Sequence, residues 1–243
     1  MRCPEHTAMR ILVLSDIHAN HTALEAVLEA AGRFDAVWCL GDMVGYGPDP
    51  NQCINTVRSL PNLTCLLGNH DAAALKRLDL AVFNYDARAS LKWLMNTLTS
   101  ENMDFLASLP ETARPQESIL LAHGSPRNPL WEYILDIYTA RGIFECFAEN
   151  ICLVGHSHIP LAFFKNNIEK AVTVRPLVAG DSVLVYQQTI LNPGSVGQPR
   201  DYDPRAAYAI FYPESGRWES YRVEYDIKSV QQRILKAGLP PHH

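Results

Sequence analysis

No two of the six cysteines (Cys3, Cys39, Cys53, Cys65, Cys146 and Cys152) form a Cys-x-x-Cys pair. That argues against a zinc knuckle or a thioredoxin-type site. Cys39, Cys65 and Cys152 lie inside apolar, strand-like runs, so buried free thiols in a reducing compartment are expected. Long apolar runs are also missing. Ile11-Leu12-Val13-Leu14 is too short for a secretory h-region or a membrane span, and no longer candidate follows. Positive charge is scarce: the formal net charge is −5, which excludes a broad basic surface for nucleic acid. Linkers, repeats and low-complexity segments are absent as well. These absences point to a cytoplasmic protein with neither a membrane segment nor an extended nucleic-acid surface. They leave a phosphate-bearing substrate open, because bound divalent cations would place positive charge where it sits.

What remains is an ordinary globular composition, 47% hydrophobic and 19% charged over 243 residues. Residues 1–8 read as an irregular leader and 9–243 as one domain; His242 and His243 receive no role. The first half alternates strand-like and helix-like segments. Arg10–Ser15, Ala36–Leu40, Leu63–Leu67, Ser118–Ala122 and Ile151–Val154 are continuous apolar runs of buried-strand type. The spacing of Leu24, Val27, Leu28 and Ala31 predicts a helix over about 21–32, with Asn20 as N-cap and Gly32 as its C-terminal stop. Further helices are expected over about Asn51–Ser59, between Asn84 and Leu98, from a Ser100 cap to Pro110, and over about 139–149. After Pro160, short β-branched stretches recur, as in hairpins and antiparallel strands. A parallel α/β half and a mostly antiparallel half without a break predict an α/β fold of two packed sheets.

Five segments close apolar runs with potential metal donors: Asp16-Ile17-His18, Gly41-Asp42, Gly68-Asn69-His70-Asp71, His123-Gly124 and Gly155-His156-Ser157-His158. Asp16 and His18 project to one side of an extended chain. Asp42 has two oxygens with which to bridge a pair of ions. Asn69 offers a neutral oxygen, and His123, His156 and His158 offer imidazoles. Mixed N/O ligation without thiolate suits Mn, Fe, Ni, Co or Zn better than Ca or Mg. Each segment alone has an ordinary alternative, such as a helix cap, a turn or a satisfied core histidine. Five in order, each at a strand end, are poorly explained by chance.

Together these segments resemble the successive motifs of the calcineurin-like metallophosphoesterase superfamily, from about Met9 to Ala209. Asn192-Pro193-Gly194-Ser195-Val196, with Pro199-Arg200 behind it, is similar to the compact prokaryotic phosphoesterase branch, the phosphodiesterases. The resemblance implies a four-layer α/β/β/α sandwich of two mixed sheets flanked by helices. It also implies a dinuclear centre, with Asp16, His18, Asp42 and His158 on one ion and Asp42, Asn69, His123 and His156 on the other. His70 would face the substrate, its tautomer fixed by Asp71. One departure stands out. The protein phosphatases of the superfamily carry an arginine soon after Gly-Asp and a Glu after Asn-His. Here Met43-Val44-Gly45 follows Asp42, and Asp71 stands in place of the Glu.

The expected activity is metal-dependent hydrolysis of phosphoesters, diesters favoured. Two ions roughly 3.5–4 Å apart would share Asp42 and a water of lowered pKa. Two divalent ions are expected, manganese first and Fe, Ni, Co or Zn as alternatives. Metal-bound hydroxide would attack phosphorus in line, and His70 would protonate the leaving oxygen. Asn20, besides capping its helix, and Arg200 are candidate phosphate contacts. Tyr46, in its glycine-flanked loop, is a candidate for stacking on a substrate ring. The substrate would be a phosphoester small molecule or nucleotide. Phosphomonoesters, phosphoproteins and dinucleotide polyphosphates stay open as substrates. A non-catalytic protein-binding scaffold with this fold and a metal-storage or sensor protein are the alternatives of another class, but neither needs His70.

Overall fold

Alternation decides which side each residue of β1 (Ile11–Leu14) takes. Leu12 and Leu14 join a cluster with Ala23, Leu24 and Val27, while Ile11 and Val13 join Trp38, Leu121, Leu153 and Phe211. A strand apolar at both parities must be covered on both faces, and this one lies between a helical layer and a second sheet. The structure, a computed structural model, describes residues 8–166, 168–169, 171–186 and 188–241. Residues 1–7 of the expected leader, and His242 and His243, lie outside the described residues.

The other strands are β2 (Ala36–Cys39), β3 (Leu63–Cys65), β4 (Thr112–Gln116), β5 (Ile119–Ala122), β6 (Ile151–Leu153), β7 (Leu161–Lys165), β8 (Val172–Pro176), β9 (Ser182–Leu184), β10 (Thr189–Asn192), β11 (Ala206–Tyr212) and β12 (Arg217–Val223). The helices are α1 (His21–Ala31), α2 (Pro50–Arg58), α3 (Asn69–Ala74), α4 (Tyr85–Leu94), α5 (Ser100–Ser108), α6 (Ile137–Ile143) and α7 (Ile227–Lys236). Two six-stranded sheets form, in the orders β3-β2-β1-β11-β12-β9 and β4-β5-β6-β10-β7-β8. Their facing surfaces enclose Trp38, Phe211 and Trp218. Helices α1 to α5 cover the first sheet through Ala23, Ile54, Ala73, Leu91 and Leu106, and α6 covers the second through Ala140 and Ile143. The expected four layers are therefore present. Among the described residues, no helix is long and apolar enough to cross a membrane.

The division between halves needs correction. Each sheet draws strands from both halves of the chain, and β10 runs parallel to β6 rather than antiparallel to all its neighbours. Local periodicity marks a strand but carries no information on its partner. Strand β4 is an addition to the expected strands; it carries Pro115 and is an edge strand with an irregular register, where proline is tolerated. Helix α5 is capped by the Thr99 hydroxyl rather than Ser100. Helix α6 is shorter and earlier than expected, because Asp136 accepts the N–H groups of Tyr138 and Thr139 and so fixes its start. Helices α3 and α7 were not anticipated.

This topology positions the site. Strands β1, β2 and β3 are mutually parallel, as are β5 and β6. Each of the five donor segments leaves the C-terminal end of one of them, where open α/β sheets gather their ligands.

Candidate metal centre

Backbone hydrogen bonds tie the donor segments to one another. Asp16 and His18 donate their N–H groups to the carbonyls of Gly41 and Asp42 at 3.1 and 3.0 Å, and Gly155 donates to His123 at 2.8 Å. The turns are left-handed at the ligands themselves. Asp16, His18, Asp42, His156 and His158 have φ between 49° and 61°. Outside glycine, Asn, Asp and His enter that region most readily. Glycines let the strand ends approach: a Cβ on Gly68 would sit 2.1 Å from Asp42 Oδ1, and one on Gly155 would sit 1.9 Å from Ser15 Oγ. The Asn192–Ser195 turn braces the centre from behind. Asn192 Nδ2 donates to the Gly155 carbonyl at 2.7 Å, and Ser195 Oγ to the Asp16 carbonyl at 2.8 Å.

All seven expected ligands converge, and each is buried. Asp16, His18 and His158 form one cluster of donor atoms, and Asp42, His123 and His156 another. Asn69 Oδ1 lies 3.0 Å from His123 Nε2. Each carboxylate holds one oxygen with protein donors and turns the other toward histidine Nε2 atoms, Asp16 Oδ1 3.2 Å from His158 and Asp42 Oδ2 3.4 Å from His123. Asp16 Oδ2 accepts from Ser15 Oγ at 2.6 Å and from the His156 N–H at 3.0 Å; Asp42 Oδ1 accepts from the His70 N–H at 2.8 Å. Asp16 Oδ1 and Asp42 Oδ2 are buried with no hydrogen bond, and so is His156 Nε2. His18, His123 and His158 each donate Nδ1–H to a backbone carbonyl, of Val44, Leu40 and Gln198 respectively. With Nδ1 so engaged, each Nε2 faces the centre, the atom that metal-bound histidines present to the ion. His18 Nε2 and His158 Nε2 then face one another at 3.1 Å. Buried acceptors aimed at a common point without donors call for a cation.

The electrostatics reflect this crowding. Burial works against the charged form of Asp42, but His123 and His70 outweigh it and hold the carboxyl well below its usual range. Burial likewise opposes ionisation of Asp16, which His158 overcomes. Burial lowers His123, yet Asp42 beside it carries the group up to about 9. Burial takes His156 down to about 3 and His70 to about 4.

A third group of donor atoms joins His18 and Asp42 to His70. The His70 ring lies against Tyr46 at 4.7 Å, His18 at 4.9 Å and Phe83 at 5.2 Å. The expected contact with Asp71 is absent. Asp71 accepts the backbone N–H groups of Gly68, Val44 and Met43 at 3.0, 3.1 and 3.4 Å, and His70 Nδ1 is buried without a partner. The physical reason is helical geometry: adjacent residues of α3 point to different sides. Asp71 therefore pins the 43–44 loop to the start of α3, and burial with the nearby Asp42 pushes its carboxyl up to about 7.

Arg200 lines the mouth of the cavity that Asp42, Asn69, His70, His156 and His158 face, about 220 Å³ in volume. Its guanidinium bonds Gln198 Oε1 at 2.7 Å. Asn20 caps α1 through Oδ1, donates Nδ2 to the Gly197 carbonyl at 3.2 Å and bonds Tyr225. Its amide is occupied by structural partners, so the expected phosphate contact gains no support. Sequence reasoning missed Tyr133, which stacks on His156 with ring centroids 4.0 Å apart, and Trp131 and Phe83 on the same wall. The aromatic run Trp131-Glu132-Tyr133, soon after His123, was the available signal.

Residues 9–216 match the calcineurin-like phosphoesterase superfamily domain. A crystal structure of a metallophosphoesterase from Sphaerobacter thermophilus superposes with a TM-score of 0.88 at 45% identity, covering 96% of each chain. A protein of Methanocaldococcus jannaschii, MJ0912, is 38% identical over 95% of this chain and 93% of its own length. A symmetrical bis(5′-nucleosyl)-tetraphosphatase of Glaesserella parasuis is 28% identical over 56% of this chain, which spans 51% of that relative. The donor clusters, the two-sheet fold and these similarities agree: the chain belongs to the calcineurin-like phosphoesterase superfamily and is a hydrolase of phosphoester bonds.

Proposed function

We propose that the chain is a two-metal phosphodiesterase. The observation that carries this reading is the pair of buried carboxylate oxygens, Asp16 Oδ1 and Asp42 Oδ2, left without hydrogen bonds among inward-facing histidines. Asp16, His18, Asp42 and His158 would hold one divalent ion, and Asp42, Asn69, His123 and His156 the other. The mixed oxygen and imidazole donors suit Mn, Fe, Ni, Co or Zn, and manganese is the ion proposed here. Such ions supply charge for the non-bridging phosphate oxygens and lower the pKa of a water.

The chain's own residues do the rest. His70, held between Tyr46 and Phe83, donates a ring N–H hydrogen bond to the leaving oxygen. Arg200 at the mouth pairs with a phosphate oxygen. The aromatic wall of Phe83, Trp131 and Tyr133 covers the leaving group and limits water. Free thiols at Cys39, Cys53, Cys65, Cys146 and Cys152 fit the reducing cytoplasm.

A second reading, hydrolysis of dinucleotide polyphosphates, is favoured by the tetraphosphatase relatives, which this chain matches over about half their length. A Mn²⁺-supplemented screen separates the two. It compares bis-p-nitrophenyl phosphate, p-nitrophenyl phosphate, cyclic nucleotides, phosphopeptides and a dinucleoside tetraphosphate. The diester should be cleaved fastest; preference for the tetraphosphate would establish the second reading instead.

A further inference from the structure

A second cavity of about 220 Å³ adjoins the metal centre, and Tyr46 lines both. The two differ in chemistry. Asp42, His156 and Arg200 face the first. No acidic or basic side chain other than His18 lines the second, whose far wall is Tyr225, Ile227, Val230 and Ile234. Asn20, Gln198 and Gln231 offer neutral polar groups there, but no lysine or arginine to offset the lost hydration of a phosphate. A flat, uncharged ring would be covered by the tyrosines, by Pro199 and Pro204, and by the aliphatic face of α7. The volume is below the few hundred Å³ of a complete ligand site, so it suits one moiety of a larger molecule. The aliphatic wall comes from α7, which lies beyond residue 216, where the superfamily match ends.

We propose that this cavity takes the ring of the ester arm that stays on phosphorus. The substrate is then a phosphodiester carrying a flat, uncharged ring on one arm, of nucleoside type. This rests on the phosphodiesterase reading above. The sides follow from Tyr46: its ring stands against His70, which marks the leaving side, and its other boundary opens on the second cavity. In the reaction, a water oxygen bonds to phosphorus and the P–O bond to the other arm breaks. One water proton ends on the leaving oxygen, giving an alcohol; the ring-bearing phosphate monoester, with the second proton, is the other product.

The test uses three diesters with the same p-nitrophenolate leaving group and a methyl, phenyl or thymidine-5′ second arm, with Mn²⁺-loaded protein. The two ring esters should exceed the methyl ester in kcat/KM by about tenfold or more. Ile227→Trp, which fills the cavity, should bring that ratio toward one, and Ile227→Ala should raise KM for the ring esters more than for the methyl ester. A purely structural effect would lower all three rates together and leave the ratio. A ratio near one in the parent protein, or an unchanged ratio in Ile227→Trp, overturns the proposal. Methyl NMR reads the cavity independently of turnover. Thymidine 5′-monophosphate should shift the Ile227, Val230 and Ile234 methyls, and methyl phosphate should not. Absence of those shifts overturns the cavity assignment even if all three esters are cleaved. Shifts without cleavage of any ester support it and remove the phosphodiesterase reading instead.

Discussion

Asp42 accepts the backbone N–H of His70 through Oδ1 at 2.8 Å, while its Oδ2, 3.4 Å from His123 Nε2, has no hydrogen-bond partner. One carboxylate thus orients the residue that would serve the leaving group and offers its free oxygen to the centre. In Asp42→Asn the amide oxygen can still accept from His70, but the inward atom becomes an NH₂ donor. The variant should fold with little change in Tm in the absence of metal. It should lose the Mn²⁺-dependent rise in Tm, which reflects a stabilisation of about 2.7 kcal/mol for a site with metal at 100 times its Kd. A metal-dependent rise equal to that of the parent would remove Asp42 from the bridging role.

Metal removal is the broader test. Dialysis against EDTA should abolish phosphodiester hydrolysis, and Mn²⁺ should restore it best among divalent ions. Residual activity is followed against metal content by elemental analysis. Turnover that survives complete metal removal would sink the two-metal reading.

His70 neighbours the donors of His18 and Asp42, but the proposed roles leave it off both ions. His70→Ala should keep the metal content and lose about 10²–10⁴-fold in kcat on esters with poor leaving groups, the usual range for a lost acid–base group. With p-nitrophenolate, which needs little protonation, the loss should be much smaller. Equal losses on both ester types would argue against the proposed role.

Gly68 is extended, with φ −91° and ψ 174°, a conformation open to alanine. Any harm from Gly68→Ala therefore comes from contact rather than backbone strain. The new methyl would meet Asp42 Oδ1 at 2.1 Å and Asp42 N at 2.3 Å. The strand ends must separate, at about 1–3 kcal/mol of stability, and Mn²⁺ affinity should fall with it. Denaturant midpoints and metal titration measure the two effects.

Phe211 and Trp218 are fully buried between the sheets, their rings 6.3 Å apart. Phe211→Ala should cost about 3–5 kcal/mol in urea unfolding. It lies on β11, whose neighbour β1 delivers Asp16. Weakened metal binding in a variant that is still folded would show that the intersheet core holds the centre in place.

Much of this was legible in the sequence because each donor segment directly follows a run apolar at both parities, and such runs form covered strands. The order of those strands was not legible. Which of β10 or β7 lies beside β6 depends on pairing between residues far apart in the chain. The His70–Asp71 contact implied by the resemblance is absent because helix α3 turns the two side chains apart and Asp71 caps backbone N–H groups instead. The apolar spacing of Ile227, Val230 and Ile234 was present at the surface end of the chain and marks α7, the wall of the second cavity.

The left-handed turns at Asp16, His18, Asp42, His156 and His158 restrict the alphabet available at the centre. Short Asp, Asn and His side chains tolerate that backbone; β-branched residues do not. Re-engineering for a softer metal thus cannot proceed by exchanging donor atoms alone. Cysteine or methionine grafted at these positions would have to accept the same backbone, so the loops must be redesigned along with the ligands.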